Sequence, residues 1–304
     1  MASLWAVACY FNPARFAIAY ENYKRFRSAL GAPLLVVELS RDGSFELRDD
    51  DADIVVRAQS ASVLWHKENL LNVGIRHLPA ECTQVCWIDA DVIASDADWP
   101  AKTSALLEQC QLVQPFSRVW RLAKDQTLDE AIARRNEPPQ IGVKNGHFET
   151  GAAAAVLAHG PAALEDIGST GFMWAAPRGL IQQLTLFDRM IVGAGDAILA
   201  KAAFGLRHEP LDPYPRLAAA AERWAKPFHD AVGPKVGYLD QPIYHLWHGE
   251  LRDRKYRQRY AILEGYDPDA DVGYDSHGIL QWTTDKSDLH RNMEAYFKDR
   301  KEDR

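Results

Sequence analysis

The sequence is short of the features that mark several classes of protein. It holds four cysteines in 304 residues, Cys9, Cys82, Cys86 and Cys110, and no Cys-x-x-Cys pair. Neither a disulfide framework nor a thiolate zinc site is therefore expected, and their places in or beside apolar segments predict buried, reduced thiols. No apolar run approaches the ~18 residues of a membrane span, and the alanine-rich stretch over residues 151–164 is broken by His159, Gly160 and Pro161. The first ten residues carry neither a basic leader nor a long apolar core, so they are expected to form a strand and not a signal peptide, and a cytoplasmic location is expected. Positive charge is not in excess: 35 Lys and Arg stand against 42 Asp and Glu, a net charge of −7. That argues against a general nucleic-acid-binding field and leaves only a local strip, Arg252, Arg254, Lys255, Arg257 and Arg259. No internal repeat or low-complexity tract marks off a separate second domain, and an apolar content of 47% suffices for one sizeable core.

What is present is an alternation of strand-like and helix-like segments. Leu4–Tyr10 predicts a first strand, and Asn12-Pro13 is placed to start a helix carrying Phe16, Tyr20, Tyr23 and Phe26 as far as Gly31. Strands are expected over residues 33–39 and 53–57, a helix over 62–77 with Leu64, Leu71 and Ile75 on one side, and a strand over 84–88. A helix over 101–110 and a strand over 112–116 follow. This order implies an α/β fold: a mixed, mainly parallel central sheet with helices on both faces. Over residues 122–149 the pattern lapses into charges, Glu137-Pro138-Pro139 and the glycines Gly142 and Gly146, which predicts a long excursion expected to act as an acceptor-side lid. Beyond it, a strand is expected over 170–175 and helices over 177–186, 195–204 and 215–228. The basic run to residue 263 is read as helical, 267–276 as an acidic turn-rich loop and 289–296 as a last short helix. The all-charged residues 298–304 are expected to fray.

One stretch organises the rest: Gln84-Val85-Cys86-Trp87-Ile88-Asp89-Ala90-Asp91. Asp-x-Asp spacing by itself is uninformative, since it recurs at Asp49/Asp51, Asp51/Asp53, Asp96/Asp98, Asp267/Asp269 and Asp269/Asp271. Those pairs lie in polar, turn-like sequence. Asp89 and Asp91 alone stand at the C-terminal end of an apolar strand, where open α/β sheets place their chemistry. A carboxylate there needs a partner. Two are open: a divalent ion such as Mg²⁺ or Mn²⁺, which takes a few carboxylates and fills its other positions with water and phosphate oxygens, or an ion pair with Lys or Arg.

An ordered set of segments then resembles the GT-A-fold glycosyltransferases that use nucleotide-sugar donors, in particular the family 2-like and galactosyltransferase-like branch. Val7-Ala8-Cys9-Tyr10-Phe11-Asn12 is similar to their opening strand and nucleotide-facing turn, Trp65-His66-Lys67-Glu68-Asn69-Leu70 to the helix before the metal motif, and Ile88-Asp89-Ala90-Asp91 to the metal motif. Gly171-Phe172-Met173-Trp174 resembles the acceptor-side strand, Gly193-Ala194-Gly195-Asp196 stands where relatives carry Gly-Gly-Glu-Asp, and His245-Leu246-Trp247-His248 resembles the segment that supplies a third metal ligand. The closing residues 296–303 resemble those of phage-encoded transferases.

The resemblance implies one structural domain with two halves, residues 1–116 holding the nucleotide sugar and 117–304 facing the acceptor. It implies Mn²⁺ (or Mg²⁺) held by Asp89, Asp91 and His248, with His245 as rival ligand, and Asp196 as general base in an inverting transfer from a nucleoside-diphosphate sugar, expected to be uridine-linked. Tyr10, Asn12, Glu38, Lys67, Asp89, Arg254 and Arg257 would contact the nucleotide and Trp174 the sugar. The acceptor is left open among glycan, lipid-linked sugar, protein and a hydroxylated DNA base. For each residue a plainer role stands beside this one: helix capping for Asp196, core packing for Trp174 and His248, a solvated face for the arginines. Competing functions are a phosphatase of the haloacid dehalogenase type, which Ala200 in place of a second late Asp disfavours, and a non-catalytic sugar- or nucleotide-binding protein. A sugar nucleotidyltransferase would want a glycine-rich turn after the first strand, and residues 10–15 contain no glycine.

Overall fold

The computed structural model describes residues 3–141 and 144–303. The chain opens with β1 (Leu4–Tyr10), α1 (Ala17–Ala29), β2 (Leu34–Ser40), β3 (Ile54–Gln59), α2 (Lys67–His77) and β4 (Gln84–Ile88). It continues through β5 (Val92–Ala94), α3 (Trp99–Leu106), β6 (Leu112–Gln114), β7 (Arg118–Arg121), α4 (Leu128–Ala133), β8 (Phe148–Gly151), α5 (Ala152–His159), α6 (Ala163–Ile167), β9 (Gly168–Ser169), β10 (Met173–Pro177) and α7 (Arg178–Leu184). The remainder is α8 (Gly195–Ala203), α9 (Pro215–Val232), β11 (Val236–Tyr238), β12 (Pro242–His245), β13 (Val272–Tyr274), β14 (Leu280–Trp282) and α10 (Ser287–Asp299).

The expected α/β architecture is the one found. A seven-stranded sheet runs in the order β11-β6-β10-β4-β1-β2-β3, parallel except that β10 is antiparallel to β4 and β6. Strand alternation divides its side chains cleanly. Val7, Leu35, Val37, Val85, Trp87, Trp174 and Ala176 pack against α2, α7, α8 and α9 on one face. Ala6, Ala8, Leu34, Val36, Cys86, Ile88, Met173 and Ala175 meet Tyr23 and Phe26 of α1 and Trp99 of α3 on the other. Both faces are thus covered, which is why these strands read as unbroken apolar runs.

A second, five-stranded sheet in the order β5-β12-β7-β8-β9 was not foreseen. It absorbs the ends of the supposed lid: β7 and β8 pair, and between them α4 starts on a Thr127/Glu130 capping box. Gly142 and Val143, at the centre of that expected excursion, lie outside the described residues, as do Met1, Ala2 and Arg304.

Other boundaries moved for local reasons. Helix α1 starts at Ala17 and not at Asn12-Pro13, because Asn12 closes a turn on Phe16: its amide donates to the Phe16 carbonyl and its Oδ1 accepts the Phe16 N–H, both at 2.9 Å. Arg15 in that turn has φ of 54°. Helix α2 starts at Lys67, since the Trp65 N–H is taken by the Ile191 carbonyl at 2.9 Å. The basic run forms two 3₁₀ segments, Leu251–Arg254 and Gln258–Leu263, in place of an α-helix. The acidic loop contains β13, which makes a hairpin with β14. Residues 300–303 do not fray: Arg300 and Glu302 are nine-tenths buried and paired, and the Asp303 carboxylate accepts the N–H groups of Ala17 and Ile18 at 3.0 Å each. All four cysteines are free, with Cys82 and Cys86 buried and Cys9 and Cys110 partly so. No helix among the described residues is long and apolar enough to cross a membrane.

Candidate active site

The strands of the large sheet end on a cleft of about 880 Å³, within the range of small-molecule sites. Asp89 and Asp91 leave β4 at its floor, and register explains what they meet. The Asp89 N–H donates to the Phe172 carbonyl at 2.7 Å just before β10, and β12 runs antiparallel to β5 with His245 opposite Val92. The Leu246 N–H closes that pairing on the Asp91 carbonyl at 2.9 Å. The second sheet therefore delivers His245 to Asp91, and His248 follows three residues on, just before Gly249 (φ 90°).

Three donor atoms converge there. Asp91 Oδ2 lies 3.0 Å from His248 Nε2 and 3.5 Å from His245 Nε2, and the two ring nitrogens are 3.1 Å apart. Donors held at ~2.0–2.2 Å from a single ion stand about 3 Å from one another, so the triangle has the size of one face of a coordination shell. The chemistry of the set agrees. Burial works against the Asp91 carboxylate, yet His245 and His248 hold it well below the usual carboxylate range. Burial holds His245 down to about 3, leaving a neutral ring with a lone pair. Asp91 Oδ1 is buried and has no hydrogen-bond partner among the described residues, and a cation or its water would satisfy it. The residues present therefore fit a divalent ion.

Asp89, expected to share the ion with Asp91, is placed beside a lysine. Lys67 Nζ, at the start of α2, stands 2.5 Å from Asp89 Oδ1 and 2.8 Å from Asp196 Oδ2. The ion-pair alternative thus describes Asp89, and the rival ligand His245 takes its place in the triad. Burial would lower the Lys67 ammonium, but Asp196 and Asp89 hold it well above its ordinary value. Burial pushes Asp89 up to about 6 against the pull of Lys67. Asp196 is the second residue of α8 and makes no capping bond; Ala194 is the cap residue, with φ of 80°. Beside them Glu68 is buried with Oε1 unpartnered, and burial followed by the nearness of Asp196 pushes it up to about 8. A Cβ at Gly195 would sit 2.3 Å from the Glu68 carboxyl carbon, so a larger residue would have to displace that buried carboxyl.

Tyr10, Asn12, Lys67, Asp89, Asp91, Asp196, His248, Arg254 and Arg257 all line the cleft. Two expected residues do not. Glu38 is buried, and its carboxylate accepts the N–H groups of Glu46 and Leu47 as the segment after β2 folds over it. Trp174 is fully buried in mid-sheet with its indole N–H on the Thr170 carbonyl, on the helix-covered face, so it cannot stack on a sugar. Tyr10 and Asn12 reach the cleft wall but spend their polar ends on Glu46. Sequence reasoning missed Glu68, the buried Arg121–Glu149 pair, Arg259, Arg300 and Glu302. Within the basic run nothing distinguishes the buried Arg254 and Arg259 from the exposed Arg252 and Arg257. Arg254 Nη2 donates to His248 Nε2 at 2.6 Å, pressing a positive charge toward the triad.

No family model and no curated protein matches the sequence. Among solved structures the chain is similar to glucosyl-3-phosphoglycerate synthase from Mycobacterium tuberculosis in complex with Mn²⁺, uridine diphosphate and phosphoglyceric acid, at 16% identity over 90% of this chain and 81% of that one, with a TM-score of 0.42. It is also similar to residues 1–349 of S. aureus TarS (10% identity, 97% and 70% covered, TM-score 0.40) and to 4-diphosphocytidyl-2C-methyl-D-erythritol synthase from Anaerococcus prevotii (9%, 86% and 96%, TM-score 0.37). At these identities and scores, what the chain does has to be read from its own side chains.

Proposed function

We propose that the protein is a divalent-cation-dependent glycosyltransferase of GT-A type, moving a sugar from a nucleoside-diphosphate donor to an acceptor hydroxyl with inversion. The observation that carries this reading is the convergence of Asp91, His245 and His248 at the floor of the cleft, next to a separate carboxylate, Asp196, held by a lysine.

Asp91, His245 and His248 would hold the ion, Mn²⁺ in preference to Mg²⁺ because two imidazoles suit a transition metal. When bound, the ion supplies charge neutralisation to the departing diphosphate. The chain's own residues do the rest. Lys67 pins Asp196 through Oδ2, which leaves Oδ1 to accept the proton of the attacking hydroxyl. The same ammonium holds Asp89, so donor-side and acceptor-side carboxylates keep a fixed spacing through one cation. Arg254 and the exposed Arg257 line the wall where a diphosphate would be received. In this reading residues 1–116 form the nucleotide side and residues 117–304 the acceptor side, with β12 crossing over to complete the ion site.

A panel of nucleotide sugars with Mn²⁺ tests the proposal, read as thermal stabilisation and as nucleoside diphosphate release. A uridine-linked donor is expected to give a Mn²⁺-dependent shift. A protein stabilised by no nucleotide sugar in the presence of Mn²⁺ would refute the transferase reading.

A further inference from the structure

The segment after α10 was expected to be solvated, and it forms part of the wall of the candidate site. We propose that Glu302 is a positioning residue that fixes the ring of His248, with its proton on Nδ1 and the Nε2 lone pair turned to the cation. This rests on the cation reading given above.

The placement is built from several contacts. Glu302 Oε1 lies 3.4 Å from His248 Nδ1, on the opposite side of the ring from Asp91, and both side chains are about one-eighth exposed. Arg300 Nε donates to Glu302 Oε1 at 2.6 Å and so fixes the carboxylate. The Arg300 guanidinium is itself stacked 5.1 Å over the Trp65 ring. The backbone of this strap lies directly on the turn after His248: a Cβ on Gly249 would meet Glu302 Cα at 3.0 Å and the Arg300 carbonyl at 3.3 Å. Gly249, at φ of 90°, is the residue that lets the two chain segments touch. One residue further on, Asp303 accepts two N–H groups at the start of α1, whose own cap residue, Phe16, has no side chain for the purpose.

The tautomer follows from the partners on the two sides of the ring. Nε2 faces both Arg254 Nη2, which can only donate, at 2.6 Å and the Asp91 carboxylate at 3.0 Å, and a cation held through that nitrogen requires its lone pair. The neutral ring therefore bears its proton on Nδ1, facing Glu302. A carboxylate behind a ligating imidazole orients the ring and raises its basicity, and its loss typically weakens metal affinity ~10–100-fold. Glu302 does not reach the triad itself, because it stands behind the ring.

Two readouts test this without any turnover. In ¹⁵N-histidine-labelled protein, at a pH where the ring is neutral, the His248 signal, assigned by its loss in His248→Gln, should show the Nδ1-protonated form. Mn²⁺ affinity, measured by electron paramagnetic resonance on nucleotide-free protein, should fall ~10–100-fold in Glu302→Ala. Glu302→Gln, which keeps an acceptor oxygen, should recover most of it. Asp303→Ala, at an exposed anchor, should give a smaller loss in the same direction, and it serves if Glu302→Ala folds poorly. An Nε2-protonated ring in the wild type, or equal Mn²⁺ affinity in wild type, Glu302→Ala and Asp303→Ala, would overturn the proposal. If the wild type binds no Mn²⁺, the cation reading falls, while an Nδ1-protonated ring that depends on Glu302 still supports the positioning role.

Discussion

Two clusters stand a residue apart at the end of the same strand, and they meet the same electrostatic problem differently. Around Lys67, two carboxylates share one covalently supplied cation, with Nζ at 2.5 and 2.8 Å from them. Around Asp91, two imidazoles converge on a carboxylate that keeps one buried oxygen unpartnered. Each cluster keeps one net negative charge when the imidazoles are neutral, but the first already holds its own cation, while in the second an exchangeable ion can meet the buried Asp91 oxygen. The nearest built-in cation, Arg254, reaches His248 Nε2 and makes no bond to the Asp91 carboxylate. An Asp-x-Asp pair is thus two functional groups of different kinds, and its spacing alone conceals the division.

The sharpest break of that comparison is Asp91→Ala. It should remove Mn²⁺-linked nucleotide binding outright, by more than the ~10–100-fold expected of a residue behind a ligand, as titration calorimetry with and without Mn²⁺ would read. Equal affinity in the two proteins would dissolve the distinction between the clusters. Asp196→Asn, in the other cluster, should leave Mn²⁺ and nucleotide binding in place and lower transfer by about 10²- to 10⁴-fold, the usual worth of a general base. Loss of binding together with transfer would show that the Lys67 cluster is structural support for the ion site.

How much of this could be read from the chain depended on range. The units from β1 to β4 were legible because alternation and helical spacing are local, and because buried parallel strands announce themselves as apolar runs. The Asp91 and Asp196 positions were legible as carboxylates at the ends of such elements. The division of labour between Asp89 and Asp91 was not, since it turns on which cation arrives from α2 and which histidine from β12. Depth misled in the same way: Glu38 and Trp174 sit at strand positions that look like cleft positions until the covering segments are known. The charged tail misled most. Its composition reads as solvated, but Arg300 and Glu302 satisfy each other, and Asp303 reaches back 285 positions to Ile18. A charge pattern carries no record of such partners.

Lys67→Met sharpens the comparison from the stability side. Removing one partner of a fully buried pair costs about 3–5 kcal/mol; Asp89 and Asp196 are 27% and 24% exposed, so a loss of roughly 2–3 kcal/mol is expected. Chemical denaturation should show that deficit at neutral pH. It should narrow as pH falls toward about 6, where Asp89 takes up its proton even beside the ammonium and no longer needs it. A deficit independent of pH would mean that Lys67 acts by packing alone.

At Glu68 the sign of the effect is the test. Its carboxyl is raised from 4.5 to about 8 by burial and by Asp196, so between those values the folded protein keeps a proton that the unfolded chain has released. Stability contributed by this group is therefore full in acid and declines as pH rises through that interval. Glu68→Gln presents a similar shape that never ionises. It should track the wild type at low pH and become the more stable of the two as pH rises toward 8 and beyond, with unfolding midpoints across that range as the measurement. A wild type that gains stability relative to Glu68→Gln over the same interval would mean that Glu68 is ionised in the fold, and that Lys67 neutralises three carboxylates instead of two.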